Sequence, residues 1–140
     1  MREISPGLWH WTAPHDHIGM EVSSYYLADA RVLVDPMLPP DGLDWFRQIG
    51  EPEHILLSNR HHDRDAWRLH EAFGCTVHCV RNGVHELEGR GPIDAFDFGD
   101  ELRVQLSHDR GVALEIAAPR FQCASLEAVC SYHIHGSDYS

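Results

Sequence analysis

The residues best suited to chemistry lie in one short run, Asn59-Arg60-His61-His62-Asp63-Arg64. Imidazole and carboxylate groups bind zinc and other transition metals, and they also carry protons between reacting atoms. A buried strand before this run would deliver His61, His62 and Asp63 together onto a polar loop, although adjacent residues on an extended segment point apart. Arg64 offers a planar fork that suits a carboxylate or phosphate. The alternative is a plain loop in which Asp63 or Asp65 caps the helix that follows. Two further His-x-His pairs, His15/His17 and His133/His135, would place their rings about 6.6 Å apart on a strand at roughly 3.3 Å per residue. With 12 histidines in 140 residues such pairs arise readily, and solvated loop or edge positions are their ordinary reading.

The four cysteines do not form a comparable site. On a strand, Cys75 and Cys79 would stand about 13 Å apart, beyond the roughly 4.4–6.8 Å that a disulfide spans. Cys123 and Cys130 also lack the short spacing of structural zinc sites. All four therefore read as reduced, structural residues. Trp9, Trp11, Trp45 and Trp67 read as core or rim aromatics.

The elements that must hold the 59–64 run are legible on both sides. Residues 53–58 form a short apolar run typical of a buried strand, and Ala66 to Phe73 carries a helical stripe of Ala66, Leu69, His70 and Phe73, closed by Gly74. Cys75 to Val80 then returns as a strand, which makes a parallel β-α-β unit. Upstream, a strand begins at residues 8–11 and is broken by Pro14-His15-Asp16-His17. Residues 23–27 and 31–35 pair through a tight hairpin at Ala28-Asp29-Ala30. Pro36, Pro39 and Pro40 stop that run, and Asp41 is placed to cap a helix over residues 42–49 that ends at Gly50. Downstream, residues 81–92 are rich in turns, and 93–98, 102–106 and 112–117 read as strands. The signal decays after Pro119, and 131–140 show no amphipathic period. No internal repeat or long linker divides the chain, so residues 1–140 are expected to form one domain.

In this setting Ile55-Leu56-Leu57-Ser58-Asn59-Arg60-His61-His62-Asp63-Arg64 resembles the metal-binding loop of the metallo-β-lactamase superfamily, whose pattern is His-x-His-x-Asp-His after an apolar strand. Val34-Asp35-Pro36 matches the Asp that closes an earlier strand in that family. Phe96-Asp97-Phe98-Gly99-Asp100-Glu101-Leu102 is similar to its "dGdel" turn. The resemblance covers residues 5–105 and implies an α/β fold, an incomplete metallo-β-lactamase-like αββα sandwich, with residues 106–140 as a poorly specified tail. It implies a metallo-hydrolase-like protein in which His61 and Asp63 hold zinc with His62 as a substitute ligand. Asp63 would orient a metal-bound water, while Arg64 and Asn59 would contact a small-molecule substrate. The loop departs from the pattern at two positions. Asn59 stands where the first His belongs, and Arg64 stands where the last one does, so one motif ligand per metal survives. The later His of the family has no counterpart in residues 119–126. The resemblance therefore implies a truncated or reduced relative with reduced or no activity, and the alternative is a non-catalytic scaffold that binds a small ligand or a partner protein.

Composition narrows the rest. With 11 basic residues, all arginine, against 22 acidic ones, the net charge is −11, which argues against a nucleic-acid binder. No apolar run approaches the roughly 18 residues of a membrane span. Residues 1–7 contain no apolar core of a signal peptide, so a cytoplasmic protein is expected. An incomplete sandwich would leave a sheet face and edges uncovered, so self-association into a homo-oligomer is a further expectation. The 12 histidines are enough to offset the charge of −11 once protonated, as they are below an imidazole pKa of about 6.5. Solubility should therefore fall as the pH drops from about 7.5 toward 5.5. Constant solubility down to about pH 5, measured by light scattering, would show that the histidines are largely buried and neutral or that charge does not limit association.

Overall fold

A computed structural model of the chain describes residues 1–97 in full, together with the backbone of 101–105, 111–117 and 129–134. Seven strands lie side by side in chain order: β1 (Arg2–Ser5), β2 (Leu8–His15), β3 (Met20–Leu27), β4 (Val32–Val34), β5 (His54–Leu56), β6 (Thr76–Val80) and β7 (Ile93–Phe96). β1 to β4 pair antiparallel, and β4 to β7 pair parallel. The parallel steps need crossovers. These contain α1 (Asp44–Ile49), α2 (Ala66–Phe73) and a 3-10 helix (Arg81–Leu87). β8 (Glu101–Gln105), β9 (Gly111–Ala117) and β10 (Val129–Ile134) form a second, antiparallel sheet in the order β10-β9-β8. β10 arises in a stretch where the sequence offers no clear period.

The β5-α2-β6 unit is as expected, with Ile55 opposite Val77 and α2 ending at Gly74, whose φ is +71°. The hairpin between β3 and β4 also forms, and Arg31 adopts a left-handed backbone (φ +55°) to close it. Three expectations change. Pro14 does not break the first strand but lies within β2, opposite Glu21. β1 reaches only as far as His10, so the outer side of β2 is unpaired at Pro14 and tolerates a missing N–H. Asp41 does not cap α1, which starts at Asp44 with no side-chain cap. Neither Asp63 nor Asp65 caps α2 through its side chain; the Asp65 carboxylate instead accepts the N–H of Leu38 at 2.8 Å.

Leu33, Ile55 and Val77 stand in register across β4, β5 and β6. Side chains alternate along a strand, so Val32 and Leu56 face the other way, yet all five are fully buried. The middle of the sheet is thus covered on both faces, as parallel strands usually are. The uncovered apolar face expected of an incomplete sandwich is not found among the described residues. Their exposed large apolar side chains, Ile4, Ile18, Met20 and Ile49, are scattered. On one face an aromatic cluster fills the core: the Phe46 ring of α1 meets Tyr26 at 5.2 Å, Trp45 at 5.2 Å and Trp11 at 6.2 Å, all edge to face. Cys75 and Cys79 are buried free thiols, as expected.

One polar pair lies inside this sheet. His54 Nδ1 and His78 Nε2, on adjacent strands, are 3.0 Å apart, and His78 Nδ1 faces Asp94 at 3.7 Å. Burial, reinforced by His54, pushes the His78 pKa down to about 4, and burial lowers that of His54 as well. The unfolded chain takes up a proton at His78 near pH 6.5, whereas the folded chain resists it until about pH 4. Stability present above pH 6.5 should therefore decline as the pH falls through that window, at about 1.4 kcal/mol per pH unit for one such group. Urea midpoints at pH 7.5 and 5.0 measure this, and His78→Gln should flatten the decline. An equal decline in the variant would assign the effect elsewhere.

Candidate functional site

The 59–64 run leaves the C-terminal end of β5, where open α/β sheets place their crevices. Its anchor comes from another strand. Asp35 follows β4 with φ +46°, a left-handed conformation that short polar residues tolerate best. Its carboxylate accepts the N–H of Ser58 at 2.8 Å, the hydroxyl of Ser58, and His62 Nδ1 at 3.0 Å. Its carbonyl accepts the hydroxyl of Ser24 at 3.0 Å and Nη1 of Arg64 at 2.7 Å. Its own N–H donates to the carbonyl of Leu56 at 3.1 Å. One residue therefore ties β3, β4, β5 and the motif loop together.

Serine, histidine and aspartate meet here, but they are not wired as a nucleophilic triad. In such a triad the histidine takes the serine proton with one ring nitrogen and faces the carboxylate with the other. Here the Ser58 hydroxyl proton goes to Asp35, and both Asp35 and Ser58 sit at Nδ1 of His62. The cluster holds a loop in place and leaves Ser58 without the histidine base of a triad.

Arg64 enters the loop with φ +37° and is half-buried. Its Nη1 donates to the carbonyls of Ser23 and Asp35, each at 2.7 Å. Burial lowers the guanidinium pKa from its usual range, and the charge of Asp35 opposes that shift. Asn59 is buried, and its Oδ1 accepts the N–H of His61 at 2.9 Å, closing a turn within the loop. His61 projects outward, 64% exposed, with Nδ1 3.5 Å from Glu86 of the 3-10 helix. Glu86 also pairs with Arg60 at 2.7 Å. That approach requires the glycine at position 83, where a Cβ would lie 2.7 Å from the Cβ of Arg60. Asp63 faces Arg90 at 3.5 Å.

His61, Asp63 and Arg64 line one cleft of about 410 Å³ together with His15 at the end of β2, His17 in the turn that follows and Arg90. His62, which is bonded to Asp35, is not part of that lining. The remaining sequence candidates, His133, His135 and residues 119–126, have no described side chains, and the Gly99 turn lies partly outside the described residues. Asp35, Glu86 and Arg90 were not among the site residues that the sequence suggested. Only Asp35 left a signal, a short polar residue before a proline at a strand end.

Set against the two-metal centre of the family pattern, these residues do not fit. Among the described residues, no three His, Cys, Asp or Glu side chains converge as a metal site requires. Asn59 is occupied within the loop, and Arg64 puts a fixed cation beside Asp35.

No protein-family model and no curated protein sequence matches the chain. Solved structures do. A B3 metallo-β-lactamase with an active-site glutamic acid is 18% identical over 80% of this chain and 55% of its own, with a TM-score of 0.52. A metallo-β-lactamase from Cronobacter sakazakii is 18% identical over 82% of this chain and 53% of its own, at 0.53. A flavoprotein from Thermotoga maritima is 12% identical over 92% of this chain and 36% of its own, at 0.57. These likenesses establish the fold: the chain has the α/β architecture of part of a metallo-β-lactamase, and it spans about half the length of the two β-lactamases.

The geometry separates structural from peripheral residues in the loop. Asp35→Ala leaves three donors without their acceptor and should cost about 3 kcal/mol or more of stability. His61→Ala removes an exposed side chain and should stay within about 0.5 kcal/mol. Denaturant melts of the two variants test this, and equal losses would remove Asp35 from its central position.

Proposed function

We propose that this metallo-hydrolase-fold chain binds a small molecule in the motif cleft and has reduced or no hydrolytic activity. The observation that carries the reading is Arg64. A guanidinium stands at the position where the fold's pattern supplies a histidine to the second metal, and arginine keeps its charge in proteins. Two unit charges about 4 Å apart repel by about 4 kcal/mol at an effective dielectric constant near 20, so a second cation is disfavoured there. At the first metal position Asn59 replaces one histidine, which leaves His61 short of the three protein ligands of a catalytic zinc. The zinc reading therefore narrows to one weakly held ion at most, on His61 with Asp63.

A hydrolase working with that single ion is the second reading. It is favoured by the shared cleft, which His61 and Asp63 both line. In that case the metal would supply an activated water, Asp63 would orient it, and Arg64 would hold substrate charge.

Zinc titration calorimetry with elemental analysis tests the choice. The parent chain should take up no more than one zinc, at micromolar affinity or weaker, and His61→Ala should abolish that binding. Asn59→His combined with Arg64→His should strengthen it, provided a thermal melt shows that the variant folds without the Arg64 bonds. Two tightly bound zinc ions in the parent, with turnover of a chromogenic β-lactam, would overturn the proposal.

A further inference from the structure

Among the described arginines, Arg64 combines partial burial with the lack of a carboxylate partner. Arg31, Arg47, Arg60, Arg68, Arg81 and Arg90 each lie within 4.0 Å of a carboxylate oxygen. Among the described residues, only Arg2 at the exposed N-terminus and Arg64 lack such a partner. Arg64 is the half-buried one, and it lines the cleft. Both bonds it makes leave from Nη1 and end on neutral carbonyls. Guanidinium carries five N–H donors, so the Nε–H and both Nη2 hydrogens remain. Those two nitrogens are not among the buried unpartnered atoms of the described residues, so solvent reaches them. They form the side-on fork that accepts two oxygens of one anion.

Of the three acidic residues that line the same cleft, two are engaged by cations and the third, Asp16, is exposed to solvent. Asp63 faces Arg90, and Asp65 is bound to the Leu38 N–H and faces Arg68. A second observation concerns His15, which lines the same cleft. Its Nδ1 is buried without a hydrogen-bond partner, and a buried polar atom of this kind costs free energy until something pairs with it. Arg64 and His15 thus line one cavity of about 410 Å³, large enough for a small organic molecule.

We infer that the cleft holds a small oxyanion, a carboxylate or phosphate group, on Nε and Nη2 of Arg64, with His15 as a further donor. This rests on the reading of the cleft as one without a two-metal centre, and it names the ligand class that such a cleft takes. Nη1 is fixed by Ser23 and Asp35, so the fork is oriented before the anion arrives and little ordering is left to bind it.

The test follows the arginine Nε–H resonances of the chain during titration with inorganic phosphate and, separately, with acetate, in the presence of a chelator. At least one of the two anions should shift the Arg64 Nε–H signal in a saturable way, and the stronger response identifies the source as phosphate or carboxylate. His15→Phe should weaken binding by about tenfold, the loss expected for one hydrogen bond to a charged group. Arg47→Gln, on α1 and paired with Asp44 outside the cleft, should leave it unchanged. An Arg64 signal that ignores both anions overturns the inference, as does an Arg47→Gln loss equal to that of His15→Phe, which would mark general charge attraction. No step requires Arg64 to be replaced, so a folding defect cannot obscure the result. Zinc stoichiometry is measured separately: tight zinc with anion binding only after metal loading would overturn the proposed function. A chain without the two-metal centre that ignores both anions would overturn this inference alone.

Discussion

The bonds around Asp35 are the constraint on which the site depends. A charged carboxylate with little solvent access is stable only where donors surround it, and Asp35 has three, all from the β5 end and the loop that follows. Its backbone is simultaneously fixed by Leu56, Ser24 and Arg64. The left-handed φ needed to point the residue in both directions is a local cost that these bonds offset. They fix the loop between β5 and α2 at its start, through Ser58 and His62, and at Arg64 near its end.

The same arrangement explains how arginine is accommodated at a position that the fold's pattern gives to histidine. A bare guanidinium among hydrophobic strands would be costly. Arg64 instead lies near the Asp35 charge, reaches two carbonyls, and keeps part of its surface open to the cleft. It performs mechanically some of what a bound cation does for such a site, bridging the end of one strand to the start of a helix. Unlike a metal, it has no exchangeable ligand position at which a water could be activated.

The sequence showed the scaffold better than the site. The alternation in β3, the apolar run of β5 and the stripe of α2 report burial directly, so the β-α-β unit was readable. The metallo-β-lactamase resemblance rested on that order of elements, and the solved structures bear out the fold. Pro14 misled because its tolerance depends on β1 stopping short, a fact about a neighbouring strand. The aspartates near α2 misled in another way. A cap is a local guess, whereas Asp65 is drawn to Leu38 and Asp63 to Arg90, distant partners that no spacing reveals. His61 and His62 look alike in the sequence, yet one is bonded to Asp35 and the other lines the cleft.

The sheet's division into an antiparallel half and a parallel half also has a consequence for the order of assembly. β1 to β4 are joined by short hairpins, so their contacts are close in sequence and form early. β4 to β7 must wait for two helical crossovers and a 3-10 turn, each of which closes a longer loop against chain entropy. The Asp35 cluster joins the last strand of the early half to the first strand of the late half. The cleft is therefore completed only when the two halves meet.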